Sequence, residues 1–279
     1  ICFATTGTSR ALGPDNATSL GVAAIRFAVG AIALFAITAF VRKPDVTTVS
    51  QPLYIWVVAG FGQAMYGATF FAAVHETGVA VGTVVALGSA PILTGVLSAM
   101  LFRSLPTRTW IQATTIAIAG MSLIVLSGKN TTVSAIGIMY ALGAGFGYAL
   151  FALASKRIVE SGVASDVAMA RVFGIAAVML GPTLFFVNID WVLTTGGISL
   201  GLWLGIVTVA LAYWAYASGL ARLEPRETTM ITLAEPVVAT VLGALVLDER
   251  PAALAWMGIV VVIVALAYES LNNSSNVKH

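Results

Sequence analysis

The chain has 279 residues, 59% of them hydrophobic and 9% charged, with 14 basic against 12 acidic side chains and a mean hydropathy of +0.96. A soluble domain of this length would carry roughly 70 charges, so too little polarity is left to cover a surface exposed to water. The single cysteine, Cys2, excludes an internal disulfide, and a net charge of +2 is too weak a bias to point to nucleic acid.

The polar residues gather in short clusters between apolar stretches of about 20 residues, the length that crosses a roughly 30 Å hydrocarbon core. This predicts an all-α polytopic membrane protein with ten transmembrane helices. Outer-membrane barrel strands are half as long and alternate with period two, which these runs do not. Span one, 1–12, opens on Ile1-Cys2-Phe3-Ala4 without a methionine, so further residues are expected ahead of it. Span two, 18–41, carries Arg26. Span three, 53–74, sets Trp56, Gly60, Gln63, Tyr66 and Phe70 at helical spacing, an aromatic face with one amide in it. It ends on His75-Glu76, a short polar loop whose histidine can exchange a proton near neutral pH. Span four, 78–102, contains Pro91, and span five covers 108–127.

Span six, 133–155, sets Tyr140 and Tyr148 around Gly143-Ala144-Gly145-Phe146-Gly147, whose small residues favour close helix approach. That run lacks the strand-turn-helix context of a nucleotide loop. Span seven, 163–187, carries Arg171, and span eight, 199–220, holds Trp203, Tyr213, Trp214 and Tyr216. Span nine, 227–247, has Glu235 beside Pro236. An ionised acid near mid-span is costly in hydrocarbon, so Glu235 is expected to face protein or a polar cavity. Span ten, 252–270, is followed by a tail over 271–279.

Basic residues give a direction. With the N-terminus inside, cytoplasmic connections hold Arg42, Lys43, Arg103, Arg108, Lys156, Arg157, Arg222 and Arg226, with Lys278 in the tail. The outer connections hold only Arg10, Lys129 and Arg250. Both termini are therefore expected in the cytoplasm, and the loop charges are read as solvated.

A shift of 145 residues pairs Arg26 with Arg171, Gly60 with Gly205, Pro91 with Pro236 and Pro106 with Pro251. The chain is thus written twice, over 1–127 and 133–270. A repeat of five crossings enters the membrane from opposite sides in its two copies, which predicts an inverted repeat of the kind used for alternating access. The paired prolines remove helical hydrogen bonds within apolar spans and either shape a cavity or are simply tolerated kinks. The paired arginines lie about 10–13 Å into their helices. Each could meet a substrate carboxylate, Arg26 from the outer side and Arg171 from the cytoplasmic side, or serve as a snorkelling tether.

Leu233-Ala234-Glu235-Pro236-Val237-Val238-Ala239-Thr240 through Asp248-Glu249-Arg250-Pro251 resembles the signature near the end of the EamA-type repeat of the drug/metabolite transporter superfamily. Ala90-Pro91-Ile92-Leu93-Thr94 through Pro106 resembles its first copy, with Ala90 in place of the acid. The opening Phe3-Ala4-Thr5-Thr6-Gly7-Thr8 and Ala11-Leu12-Gly13-Pro14 are similar to aromatic amino-acid exporters of that superfamily. The resemblance implies two inverted five-helix repeats in a bacterial inner membrane and export of amino acids or other metabolites.

The expected partners are a small-molecule substrate and membrane lipid, and the expected state is a monomer. Without a spaced His/Cys cluster or a polar domain outside the membrane, neither a metal nor another cofactor is expected. A transporter is favoured over a channel or an intramembrane enzyme. Gln63, Tyr66, Phe70, Tyr140, Tyr148, Tyr213, Trp214, Tyr216 and Glu235 are expected to contact substrate. Arg26, His75, Pro91, Arg171 and Pro236 are expected to supply charge or gating. Aromatic walls with few polar anchors suit an aromatic or large neutral amino acid. Other drugs and metabolites remain alternatives, although nucleotide-sugar phosphates should demand denser positive charge.

Overall fold

The computed structural model describes residues 1–41, 51–126, 134–246 and 250–276. Among these residues the chain is helical, with no strand. Arg42, Lys43, Lys129 and Lys278, used above to orient the chain, lie outside the described residues.

The first half contains α1 (Thr5–Ala11), α2 (Ser19–Val41), α3 (Leu53–Phe102) and α4 (Arg108–Leu126). The second contains α5 (Ala135–Glu160), α6 (Ser165–Leu180), α7 (Thr195–Leu202), α8 (Ala212–Leu220), α9 (Pro225–Ile231), α10 (Glu235–Val246) and α11 (Ala253–Asn276). A π-helical stretch, Trp203–Leu211, joins α7 to α8, so the three form one continuous rod. The last helix runs on to Asn276, into the stretch expected to be tail.

Eight helical stretches among the described residues are long and apolar enough to cross a membrane. Two of the ten expected elements are not among them. The first, α1, has seven residues, about 10 Å of helix against a core of about 30 Å. The other is α4, with 19 residues.

Spans three and four run together as a 50-residue helical segment interrupted at Gly78, whose φ of 79° and ψ of 160° lie where a side chain would clash. That one residue does the work of the loop expected there. The two repeat prolines differ locally. Pro91 sits within continuous helix, whereas Pro236 follows a 3₁₀ turn, Thr232–Ala234, that separates α9 from α10. Proline cannot donate to the carbonyl one turn back, and the tighter turn takes up the break.

Glycines set how closely the helices approach. A Cβ on Gly60 of α3 would strike Ile175 of α6, and one on Gly205 in the π-helical stretch would lie 3.0 Å from the Gly30 nitrogen of α2. The shift that carries Gly60 to Gly205 also carries Gly30 to Ile175, so these two crossings correspond between the halves. Gly62 and Gly147 press backbone to backbone where α3 crosses α5. The glycine run of α5 is thus a packing surface.

The buried apolar side chains form one large cluster drawn mainly from α2, α3, α5, α6 and α8, a second around Trp110, Met121, Leu233 and Ile259, and a small third of Ala73, Ala86, Ala141 and Ala144. Arg226 links the halves near the second. It was expected to be a solvated loop charge, but it is buried. Its guanidinium donates to the Ser104 Oγ at 2.9 Å and to the Ser104 and Leu105 carbonyls at 3.3 Å, and pairs with Glu224 at 2.7 Å. Trp110 Nε1 in turn donates to the Arg226 carbonyl at 3.2 Å. The cause is a helix start: Glu224 and Glu227 form a capping box around Pro225, which fixes Arg226 in the first turn of α9 facing the α3–α4 connection.

Candidate functional site

The large cluster holds polar groups inside an aromatic shell. Gln63, fully buried on α3, donates from Nε2 to the Tyr213 hydroxyl of α8 at 3.0 Å. One turn further along α3, Tyr66 stacks on Phe70 with ring centres 5.6 Å apart and packs on Tyr148 of α5 at 5.3 Å. Tyr148 meets Tyr216 at 6.1 Å, and Phe151 stacks on Tyr216 at 5.6 Å. Phe173 of α6 closes on Tyr213 at 4.5 Å and on Phe27 at 5.3 Å. Rings at these separations favour offset and edge contacts, each worth about 0.5–1.5 kcal/mol beyond burial.

Two opposite charges border this shell. Arg26 of α2 is buried, with its guanidinium 5.3 Å from the Phe27 ring and 5.9 Å from the Phe71 ring. Glu235 begins α10 and is partly buried. Arg26 lies within electrostatic range of Glu235, Tyr66 and Tyr213. The ion pairs formed among the described residues are His75–Glu76, Lys156–Glu160 and Arg226–Glu224, so Arg26 and Glu235 interact electrostatically without forming an ion pair.

Among the described residues, two buried polar atoms beside these rings have no hydrogen-bond partner: Arg26 Nε and Gln63 Oε1. Leaving such a group unsatisfied costs about 1–3 kcal/mol. A cation and an amide oxygen are thus held inside an apolar, ring-lined shell with hydrogen-bonding capacity to spare.

The fold brings together Arg26, Gln63, Tyr66, Phe70, Tyr148, Tyr213, Tyr216 and Glu235, with Pro236 buried next to the acid. It sets the other sequence candidates apart. Trp214 is 45% exposed, because α8 turns Tyr213 and Tyr216 inward and carries the residue between them onto another face. Tyr140 is 41% exposed and lines a separate cleft of about 280 Å³ with His75, Glu76, Ser19, Leu20 and Phe71. Pro91 is buried on α3 and makes none of the ring contacts described above. Arg171 is exposed, with its guanidinium 5.2 Å from the Trp56 ring. Sequence reasoning missed Phe27, Phe151 and Phe173. Phe151 follows Tyr148 by three residues, a spacing that puts both on one helix face.

The model of the EamA-like transporter family matches residues 1–126 and, a second time, residues 135–270. The chain is 35% identical over 264 residues to the uncharacterized transporter YwfM of Bacillus subtilis (strain 168), covering 95% of this chain and 88% of that protein. A crystal structure 19% identical in sequence superposes with a TM-score of 0.83 over 97% of this chain and 93% of its own, a likeness of fold.

Proposed function

Because the chain belongs to the EamA-like transporter family of the drug/metabolite transporter superfamily, and is therefore a membrane transporter of small molecules rather than an enzyme, we propose that it exports aromatic or large neutral amino acids by alternating access. The observation that carries this reading is the placement of Arg26 and Glu235 beside one ring-lined cluster. A zwitterion has a carboxylate for the guanidinium and an ammonium for the acid, while its side chain gains ring contacts and apolar burial. Gln63 adds an uncharged polar anchor. A phosphorylated substrate suits the cluster less well, since its one guanidinium is accompanied by a carboxylate.

In this reading the protein sits in a bacterial inner membrane with both termini cytoplasmic. The ten elements form two inverted five-helix repeats, with α1 and α4 completing the eight longer spans. The corresponding crossings at Gly60 and Gly205 support the inversion. Substrate passes between the repeats as Pro91 and Pro236 let α3 and α10 rock.

Counterflow in reconstituted liposomes tests the substrate class. Preloaded vesicles are offered phenylalanine, leucine, a polyamine, a sugar and a nucleotide sugar. The aromatic and large neutral amino acids are expected to exchange fastest, and Tyr66→Ala is expected to erase the preference for aromatic over aliphatic substrates. Faster exchange of a phosphorylated compound, or unchanged selectivity in Tyr66→Ala, would overturn the assignment.

A further inference from the structure

Arg171 carries chemistry that the central cluster does not use. It lies in the candidate span Ser165–Phe185, six residues and about 9 Å from its start. The side chain is exposed, and among the described residues it makes no ion pair or hydrogen bond, only the contact over the Trp56 ring at 5.2 Å. A guanidinium on the outer face of an apolar bundle is costly unless it reaches the headgroup region or meets an anion.

It also marks one end of a groove of about 750 Å³. From Arg171 the groove follows one face of α6 past Ile175 to Val178 and Met179, residues spaced to share that face. Phe35 of α2 and Trp56 of α3 form the opposite wall. Gln51 and Pro52 stand at the mouth, where the chain enters α3. Val178 is 76% exposed, so the apolar floor is open to the membrane side. A charged head beside an apolar trough matches an amphiphile with a phosphate at one end and hydrocarbon at the other. In the orientation proposed above, this end of α6 lies on the cytoplasmic side.

From this we infer that the groove between α2, α3 and α6 is a binding site for an anionic diacyl phospholipid. The Arg171 guanidinium holds the phosphate, as planar guanidinium donors do in paired hydrogen bonds. Trp56 supports the guanidinium from beneath, and the acyl chains lie along Ile175, Val178 and Met179. Basic recesses between membrane helices are a recurrent way to hold such headgroups. The site needs only the membrane-embedded fold and is independent of the transported substrate.

Native mass spectrometry of the full chain, delipidated in detergent and titrated with phosphatidylglycerol or phosphatidylcholine, tests the assignment. The parent protein is expected to retain phosphatidylglycerol in preference. Arg171→Gln should lower that retention by about fivefold or more, while Arg26→Gln, its charge being buried elsewhere, should leave it unchanged. Val178→Trp, which fills the trough and keeps the charge, should weaken both lipids alike and remains informative if Arg171→Gln folds poorly. Equal retention of the two lipids by the parent protein, undiminished phosphatidylglycerol in Arg171→Gln, or undiminished binding in Val178→Trp would overturn the proposal.

Discussion

Arg26 and Arg171 occupy matching places in the two halves, one repeat apart and at similar depth in α2 and α6, yet they meet opposite surroundings. Arg26 is buried among Phe27, Phe71 and the ring cluster near Glu235, whereas Arg171 lies exposed over Trp56 at the edge of a groove. The acids diverge in the complementary direction, with Glu235 before Pro236 and Ala90 before Pro91. The central charges are therefore supplied one by each half. A duplicated frame can keep its symmetry in backbone crossings and abandon it in the charged side chains it carries.

The largest expected effect falls on that shared pair. Arg26→Gln and Glu235→Gln should each slow counterflow by roughly ten- to a hundredfold, the equivalent of losing a charged hydrogen bond of about 1.5–3 kcal/mol, with folded yield retained. Combining them should cost far less than the product of the two losses, because both act on one bound molecule. Arg171→Gln should stay within about threefold of the parent rate. An equal loss of flux in Arg171→Gln, with the protein folded, would erase the asymmetry between the halves.

A third arginine sharpens the contrast, since Arg226 is buried like Arg26 but satisfied by Ser104, Leu105 and Glu224. Arg226→Ala should lower stability by about 1–3 kcal/mol, seen as a reduced Tm in detergent. Flux per folded molecule should remain within about threefold. Unchanged Tm together with lost flux would place Arg226 with Arg26 rather than with the tethers.

The smallest effect concerns the neutral anchor. Gln63→Leu removes the hydrogen bond to Tyr213 while keeping most of the volume, and should weaken substrate exchange by about fivefold, or about 1 kcal/mol. Tyr213→Phe should do the same, and the pair together should cost little more than either alone. Additive losses would mean that the two residues meet the substrate separately.

Much of this arrangement was legible in the chain. Apolar runs of membrane length located the eight long spans, and the constant offset exposed the duplication. Most of the side chains proposed to bind substrate, including Gln63, Tyr66, Tyr148 and Glu235, stood out as polar or aromatic residues within apolar helices. The direction in which each helix turns was much less legible. Nearly every residue of these helices is apolar, so periodicity barely distinguishes an inward from an outward face. Tyr213 and Trp214 are adjacent and equally plausible in sequence, yet only the tyrosine enters the cluster. Arg226 read as a loop charge until the Glu224–Glu227 capping box brought it against the neighbouring connection.

What the sequence determined by itself was the membrane as solvent, the helical class and the duplicated order of elements, because hydropathy, segment length and repeat offset are properties of the chain alone. Tertiary structure decided which arginine of the repeated pair is buried against the rings, how Gly78 replaces a loop, and that α1 spans only seven residues. Those outcomes depend on the rotation and close approach of neighbouring helices. The approach is set at glycines such as Gly62 and Gly147, whose contacts join residues far apart in the sequence.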